Sequence, residues 1–365
     1  MEVRMTGDLT VTLETLTPLW TGDVAGKCDR VHETGIIGSL RWWYEALVRG
    51  LGDRACDPTD TTCEYKPNKS NNGLCDACHV FGTTGWQRRF RLIIEDHTEP
   101  LWSPPTQMLN VRPPGRRRGW YLPPGRVGQI RLRLTGDSSV LVKMVTLLRF
   151  LERWGAIGAK PQLGYGLFRI VEIKGEPREP GGWKMQEPLP SHTSLPDLRH
   201  LAFFRFRFSP QGKGWWTRLP GMERLLGDND TARALQQAVD REMIPVSPAL
   251  KNAWRFERWQ GPRDAERELF GTAFGRGDPV RSKIAVSWAY PDGDAWEVRG
   301  WVWLPAQDRE LSSDALQQLW NIVRDEKAWR KVLNAPSGRL TTVPDVETWQ
   351  AQSVEQVKSF LEVEP

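Results

Sequence analysis

Hydrophobic and polar positions alternate near the start of the chain and then change to a helical spacing. Residues 9–20 (LTVTLETLTPLW) alternate, which predicts a half-buried strand. In residues 34–50 (TGIIGSLRWWYEALVRG) apolar side chains recur at helical spacing, so this stretch predicts an amphipathic helix with Ser39 as its N-cap. The polar side of this helix, which is expected to face solvent, carries Arg41, Trp42 and Arg49.

The same two patterns continue to the end of a first domain, predicted over residues 1–180. Residues 90–97 and 126–136 alternate as strands, residues 138–155 are a largely apolar helix, and residues 167–173 predict a last strand. The resulting order, β-α-β-β-α-β, is the split βαβ pattern of ferredoxin-like and RNA-recognition folds.

A proline-rich segment with little periodicity, residues 181–198, separates this domain from a second one over residues 199–365. The second domain repeats the order of strands and helices. The chain is therefore predicted to be an α+β protein of two tandem ferredoxin-like (RRM-like, βαββαβ) domains. The predicted strands of the second domain are residues 200–210, 283–291 and 296–305, and its predicted helices are residues 247–259 and 312–333.

Short motifs also repeat between the two halves. Each half places a basic residue after a helical leucine, Arg41 in the first and Lys251 in the second, followed by Phe-Gly-Thr at residues 81–83 and 270–272. The first half is longer between these points by nearly the length of a cysteine-rich insertion at about residues 52–80. We interpret the chain as a duplicated module whose first copy carries the insertion; chance similarity of short motifs is the alternative.

Positive charge is unevenly distributed along the chain. The formal net charge is +5, and residues 1–180 hold 25 Lys and Arg against 20 Asp and Glu, whereas the remainder has 25 of each. Residues 100–136, which include the loop joining the two middle strands, contain seven arginines and no acidic residue. This concentration is typical of a surface that faces a polyanion. A solvated basic loop is the alternative.

Compartment and cysteine spacing together suggest a metal site. No apolar run is long enough to cross a membrane and the charged start does not fit a signal peptide, so we expect a soluble, cytoplasmic protein. In a reducing compartment a cysteine cluster is more often metal-binding or catalytic than disulfide-bonded. Four thiolates around a structural zinc ion would order the polar insertion, which cannot bury enough surface to order itself. The proposed ligands, spaced C-x6-C-x11-C-x2-C, are Cys56, Cys63, Cys75 and Cys78.

Other interpretations of the cysteines stay open. His79 follows the last cysteine directly and could replace one of the four ligands. The cysteines could also be unpaired thiols on the surface. Cys28, the fifth cysteine, is expected to be a free thiol.

A glycine-rich loop, residues 155–166, connects the second predicted helix to the last strand of the first domain. Its four glycines and Lys160 allow backbone N–H groups and one ammonium group to approach a phosphate. The order from helix to strand excludes a Walker loop and a Rossmann fingerprint, which run from strand to helix. A flexible connection is the alternative.

Six stretches follow one another in a distinctive order along residues 9–305: TPLWTGD (17–23), SLRWWYEAL (39–47), CDACHVFGTTGW (75–86), GAKPQLGYGLF (158–168), SPALKNAWRF (247–256) and VRGWVWLP (298–305). In wording and order they resemble the RAMP superfamily, the repeat-associated mysterious proteins of CRISPR systems. Within it the resemblance is nearest to the Cmr module of type III-B effector complexes. The long cysteine-rich insertion departs from the family pattern.

The resemblance implies tandem ferredoxin-like domains, a glycine-rich loop before the last strand of a domain, and no catalytic activity. It also implies assembly with other Cmr subunits on a CRISPR RNA, near the 3′ region of the guide and the 5′ part of the target RNA. Single-stranded RNA is held by Lys and Arg at its phosphates and by aromatic faces that accept any base. The residues expected to bind RNA in the first half are Arg41, Trp42, Arg49, Arg88, Arg89, Arg116, Arg117, Arg118, Lys160, Gly164, Tyr165 and Gly166. Their counterparts in the second half are Lys251, Arg255, Arg281 and Lys283.

Two other functions remain open. A metal-dependent RAMP endoribonuclease would use a loop aspartate with a divalent ion, and Asp23 and Asp29 occupy that loop here. A metal-independent cut would need a histidine as general base, and His32 is the only histidine near the proposed RNA track. A zinc-stabilised nucleic-acid-binding protein outside CRISPR systems is the other alternative, although no helix-turn-helix or zinc-finger spacing supports it.

Overall fold

The alternating stretch near the start of the chain forms strand β1 (Thr6–Thr15). The computed structural model describes residues 6–60, 63–112, 119–175, 183, 195–272, 278–306 and 310–361. The remaining elements of the first half are α1 (Glu33–Gly50), α2 (Asp76–Phe81), β2 (Phe90–Pro100), β3 (Leu109–Val111), β4 (Trp120–Leu122), β5 (Arg126–Asp137), α3 (Ser138–Trp154) and β6 (Phe168–Lys174).

The long strands of the first half form one sheet in the order β2-β5-β1-β6, and all neighbours are antiparallel. Leu9, Val11 and Leu13 of β1 join the apolar side chains of α1 and α3 in one buried cluster. Thr10 and Glu14, which alternate with them, are half-exposed. The period of two along the strand therefore places both helices on the same face of the sheet.

The second half contains a sheet built in the same order. It runs β11-β7-β10-β8, with the short strand β9 also paired to β10. In each sheet the first strand of the half lies between the last strand and the long strand that precedes a helix. The mixed α+β class is confirmed. The elements are β7 (Leu201–Ser209), α4 (Met222–Leu226), α5 (Asn229–Asp240), α6 (Ser247–Ala253), α7 (Arg263–Phe270), β8 (Ile284–Val286), β9 (Tyr290–Asp292), β10 (Ala295–Trp303), α8 (Ser313–Arg324), α9 (Glu326–Val332), β11 (Ser337–Val343) and α10 (Val354–Ser359).

The start of α1 differs from the sequence prediction. The helix begins at Glu33, and His32, in an extended conformation, occupies the N-cap position. Ser39, predicted as the N-cap, lies inside the helix, where its hydroxyl accepts a hydrogen bond from the N–H of Gly158 (2.9 Å). The prediction was wrong because the glycine-bearing lead-in is itself helical. Within the described ranges, no helix is long and apolar enough to cross a membrane.

The arginine-rich stretch between β2 and β5 contains a short hairpin, β3–β4, that the sequence pattern had indicated as loop. Leu109, Val111 and Leu122 of this hairpin belong to the core cluster of the second half. Next to them, the indole N–H of Trp120 donates to the side-chain oxygen of Asn252 (3.0 Å). The first half of the chain therefore contributes to the core of the second half.

A second contact between the halves lies at the end of α3. Trp301 of β10 packs edge-on against Trp43 of α1, with ring centroids 4.9 Å apart. Arg205 of β7 and Arg299 of β10 donate to the last main-chain carbonyl groups of α3. Cations at this position satisfy carbonyl groups that have no partner within the helix and complement its dipole. Through these contacts the first half covers one face of the second sheet.

Candidate metal centre and nucleic-acid cleft

Four cysteine sulfur atoms meet in the insertion between α1 and β2. The Sγ atoms of Cys56, Cys63, Cys75 and Cys78 all lie within 4.8 Å of one another. The Cys56 sulfur is 3.3 Å from that of Cys78 and 3.8 Å from that of Cys75. A tetrahedral metal with metal–sulfur bonds of about 2.3 Å separates its ligands by about 3.8 Å. The predicted cluster is confirmed as a group that can hold a metal ion.

Helix α2 positions two of these sulfurs. Cys75 is its N-cap, and the Cys75 sulfur accepts a hydrogen bond from the N–H of Cys78 (3.4 Å), while the Cys63 sulfur accepts one from the N–H of Cys75 (3.4 Å). Side-chain hydrogen bonding with Cys56, and then with Cys78, holds the pKa of Cys75 well below its usual value. His79, the alternative ligand, stacks on Trp86 instead.

Arg49 does not face solvent as predicted. It is 9% exposed, and its guanidinium group donates to the main-chain carbonyls of Ala55 (3.2 Å), Cys56 (2.9 Å) and Pro196 (2.8 Å). The prediction was wrong because the cysteine insertion folds back over the polar side of α1. Arg49 therefore orders the main chain at the first cysteine.

Arg41 is also directed toward the insertion. It pairs with Glu45 (2.7 Å) and donates to the carbonyl oxygen of Gly82 (3.1 Å) and to the sulfur of Cys78 (3.3 Å). Trp42 is half-buried and packs against the first core, so its predicted full exposure was wrong as well. The polar side of α1 thus supports the cysteine cluster, and Arg41 and Trp42 on it are only partly accessible to a ligand.

The end of the glycine-rich loop, residues 164–166, is buried between the two halves. Gly164 has a φ of +91°, and a Cβ added there would lie 2.6 Å from the Trp288 side chain. Tyr165 is 1% exposed, and Gly166 is also buried. The prediction that these three residues contact RNA is corrected: they form an internal contact, since the second sheet covers the loop.

Lys251 lies behind the same loop and is also corrected. It is 1% exposed, and its ammonium group donates to the carbonyl oxygens of Gln162 (3.1 Å) and Ile284 (3.0 Å) and to the Ser282 hydroxyl (3.2 Å). Burial lowers the pKa of Lys251 to about 7. The residue therefore links the glycine-rich loop to β8 and is closed to a phosphate.

The other predicted basic residues of the second half differ in exposure. Arg255 donates to the carbonyl oxygen of Gly271 (2.8 Å), and Lys283 pairs with Glu268 (3.0 Å). Both are half-buried, whereas Arg281 is exposed. Arg281 is thus the member of this set that is open to an anion.

One contact occurs in the same form in both halves. Arg41 donates to the carbonyl of Gly82, and Arg255 donates to the carbonyl of Gly271. Both glycines follow a phenylalanine that ends a helix, and their φ angles are +88° and +80°. In its contacts the counterpart of Arg41 is therefore Arg255, and not Lys251 as the sequence alignment of the two halves had indicated.

The loop after β1 carries the two aspartates of the nuclease alternative. The Asp23 carboxylate accepts two hydrogen bonds from main-chain N–H groups of its own loop. Asp29 is exposed and pairs with His32 (2.8 Å), whose hydrogen bond lowers the pKa of Asp29. Nearby, the half-buried ammonium group of Lys160 lies 4.8 Å from the centre of the Trp20 ring. The two hydrogen bonds that Asp23 accepts therefore make it a residue that stabilises the conformation of its own loop.

An open cleft of about 560 Å³ lies where the turn after α2 enters β2. We call it the arginine cleft. Its floor is formed by β2 and the end of β5, and one wall is formed by the turn. The lining residues are Trp86, Gln87, Arg88, Arg89, Phe90, Arg91, Thr135 and Asp137.

The three arginines of this cleft have different roles. Arg89 is committed to an ion pair with Asp137 (2.7 Å) and its side chain is 14% exposed. Arg88 is half-buried over the Phe90 ring, and Arg91 is exposed. Arg88 and Arg91 are therefore the cations that an anion in the cleft can reach. The run of three arginines at residues 116–118 lies outside the described residues.

Trp86 forms the aromatic wall of the arginine cleft. Its indole stacks with Tyr65, with ring centroids 5.2 Å apart, and with His79, at 5.3 Å. Trp86 and Tyr65 were not among the predicted site residues. The position of Trp86 two residues before Arg88 and Arg89, at the end of CDACHVFGTTGW, is the sequence signal that could have identified it.

Residues 12–169 match the family model of the RAMP superfamily. The family resemblance inferred from the six sequence stretches is thereby confirmed for this part of the chain. The wording and order of the six stretches resemble in particular subunit one of the Cmr module. No curated protein matches the chain.

Solved structures similar to this chain include Cmr subunits. Cmr1 from Pyrococcus furiosus, in the apo form, is 17% identical, with 92% of this chain and 98% of that chain covered and a TM-score of 0.45. A chain of the type III-B Cmr-beta complex bound to cognate target RNA and AMPPnP is 10% identical, with 90% and 100% covered and a TM-score of 0.43. Cmr6 from Pyrococcus furiosus is 15% identical, with 46% and 99% covered and a TM-score of 0.26.

Proposed function

We propose that this chain is a non-catalytic RNA-binding subunit of a type III-B CRISPR effector complex. It contacts the 3′ region of the CRISPR RNA, the target RNA or both, and it assembles with other Cmr subunits in the cytoplasm. The match of residues 12–169 to the RAMP superfamily and the six sequence stretches support this assignment. The equivalent strand order of the two antiparallel sheets supports a ferredoxin-like fold for both halves.

The arginine cleft is the observation that carries the proposal. Arg88 and Arg91 present positive charge at its floor, and the accessible part of Trp86, whose ring also stacks with Tyr65 and His79, lines its wall. Single-stranded RNA needs both, because its phosphates bind cations and its bases stack on aromatic rings irrespective of sequence. Each stacked base contributes about 1–3 kcal/mol. The open shape of the cleft lets a strand pass through it.

Binding of RNA is tested by fluorescence anisotropy with a labelled single-stranded RNA. We expect salt-dependent binding that is weakened at least tenfold by Arg91→Glu, because the substitution replaces a phosphate-facing cation by an anion. Arg224→Glu is the matched control, since Arg224 is an exposed arginine in α4, outside the arginine cleft. Equal effects of the two substitutions would argue against the cleft as the binding site.

Absence of catalysis is the second part of the proposal. It is supported by the use of Asp23 in holding its own loop. Purified protein should leave single-stranded RNA intact in the presence of Mg²⁺ or Mn²⁺. Specific cleavage that disappears in Asp29→Ala would reverse the assignment in favour of the nuclease.

We also propose that the cysteine cluster holds a structural zinc ion. Four sulfur ligands are the donor set of structural zinc sites, and zinc supplies folding free energy to a polar segment that has little apolar surface to bury. The separations of the four sulfur atoms fit a tetrahedral ion. Metal analysis of protein purified without a histidine tag should find about one equivalent of zinc. Much less than one equivalent would remove this part of the proposal.

A further inference from the structure

We infer that the cysteine cluster, when it holds its metal, positions Trp86 as the wall of the arginine cleft, so that the metal and single-stranded RNA bind cooperatively. This inference rests on the proposed function, because it assigns the cleft to RNA. It adds a role for the insertion: the metal site controls the affinity of a separate site on the same domain.

The contacts that hold Trp86 come mainly from the cysteine insertion. Its indole N–H donates to the carbonyl oxygen of His79 (3.0 Å), and its ring stacks on the His79 imidazole. The ring also stacks on Tyr65, which lies between Cys63 and Cys75 in the sequence. Arg89 approaches the same ring at 5.4 Å. The indole therefore loses two ring contacts and one hydrogen bond if the insertion loosens.

The sulfur cluster is joined directly to the turn that bears Trp86. His79 follows Cys78, and the hydroxyl of Thr83 donates to the carbonyl oxygen of Cys63 (2.9 Å). Thr83 and Trp86 exchange two main-chain hydrogen bonds (3.0 and 2.9 Å), which makes the turn one unit. The positions of the cysteines are thereby transmitted to the indole through a continuous set of hydrogen bonds.

Arg41 provides a second link between the cluster and the turn. One of its terminal nitrogens donates to the Cys78 sulfur (3.3 Å), and the other donates to the carbonyl oxygen of Gly82 (3.1 Å), directly before the turn. A guanidinium group is planar and rigid, so it fixes the distance between these two acceptors. The turn is therefore held at both ends by groups that depend on the cluster.

Thermodynamic linkage gives the inference a quantitative form. If the metal raises RNA affinity by a given factor, RNA must raise metal affinity by the same factor. Coupling between two sites in one protein commonly corresponds to a factor of about 5 to 150. We expect a factor in this range, because loss of metal frees the insertion whose side chains hold Trp86.

The experiment uses the full chain under reducing conditions, either loaded with Zn²⁺ or treated with a chelator. RNA affinity is measured by anisotropy in both states, and Zn²⁺ affinity is measured by competition with a chelating dye, with and without RNA. We expect Zn²⁺ to raise RNA affinity and RNA to raise Zn²⁺ affinity by the same factor, at least fivefold. Both factors should approach one in Trp86→Ala, which retains all four sulfurs. Factors of one in the wild type, with circular dichroism showing a folded metal-free protein, would overturn the inference.

If the metal-free protein unfolds, the variant Thr83→Val tests the inference in the metal-loaded state instead. It removes the hydrogen bond to Cys63 while keeping the cluster, and Thr84→Val, at an exposed neighbour, is the matched control. In the metal-loaded state Thr83→Val should weaken RNA binding at least threefold relative to Thr84→Val, with unchanged zinc content. Equal RNA affinities of the two variants would contradict the inference.

Hydrogen exchange separates this inference from the proposed function. If the metal-loaded protein binds no RNA, the proposed function fails, but the positioning of Trp86 can still be measured. Peptides that cover residues 79–90 should gain protection from exchange when Zn²⁺ is added to chelated protein. Unchanged protection there would show that the cluster does not order the turn, whatever the RNA result.

Discussion

The pH dependence of folding stability tests the buried position of Lys251. Burial, with a smaller effect from Arg255, lowers the pKa of its ammonium group from 10.5 to about 7. Unfolding returns the group to water, so between pH 7 and pH 10.5 the unfolded state binds a proton that the folded state does not. The free energy of unfolding therefore rises with pH across this window, while below pH 7 both states are protonated and the effect is constant.

The size of this effect follows from the two pKa values. A difference of one bound proton changes the free energy of unfolding by about 1.4 kcal/mol per pH unit. Because Lys251 is half-protonated near pH 7, the gain between pH 7 and pH 9 is about 2 kcal/mol. Lys251→Met removes the titrating group, so the wild type should gain about 2 kcal/mol relative to this variant over the same interval.

Urea unfolding followed by circular dichroism at pH 7, 8 and 9 measures the difference. Other groups titrate equally in both proteins and cancel in the comparison. Lys213→Met is the matched control, since Lys213 is exposed, and its difference from the wild type should stay flat. If the difference in free energy of unfolding between the wild type and Lys251→Met does not change with pH, the argument that Lys251 is buried between the halves is refuted.

Four further predictions concern the cleft, the turn, helix α1 and the insertion. Replacing both Arg88 and Arg91 by alanine should reduce the slope of log Kd against log salt by about 1.4, because each phosphate contact on a single strand contributes about 0.7; anisotropy titrations at several salt concentrations measure it, and an unchanged slope would contradict it. Gly82→Ala should destabilise the fold by about 1–3 kcal/mol in urea unfolding, because its φ is +88° and a Cβ would lie 2.9 Å from a main-chain nitrogen. Gly38→Ala, at an exposed position inside α1 with nothing within 4 Å of the new Cβ, should instead stabilise it by up to about 1 kcal/mol. Arg49→Met should speed zinc loss to a chelating dye, since it frees the main chain at the first cysteine; an equal rate would show that Arg49 does not support the cluster.

Much of the fold could be predicted because its signals are local. The strands β1, β2 and β5 and the helix α3 follow from alternation and helical spacing within a single element. The cysteine cluster could also be predicted, because thiols in a polar segment need a partner that the segment itself does not supply. The hairpin β3–β4 was missed since its strands have three residues each and are stabilised by packing into the core of the second half.

The exposure of polar side chains was harder to predict. Arg41 and Arg49 were assigned to solvent from the helical period, and Lys251 to an RNA surface from its position in a motif. All three instead donate to main-chain carbonyl groups supplied by distant parts of the chain: Gly82 for Arg41, Pro196 for Arg49 and Ile284 for Lys251. Arg88 and Arg91 kept an accessible charge because the turn before β2 leaves them at an open edge.

The sequence by itself determined which positions are apolar, which are charged and where the four cysteines stand. Only the tertiary structure decided which charged groups meet water. A polar side chain requires a hydrogen-bonding partner, and that partner can be a water molecule or a main-chain carbonyl group of a folded insertion. Periodicity along one helix cannot distinguish the two, because the covering segment comes from elsewhere in the chain.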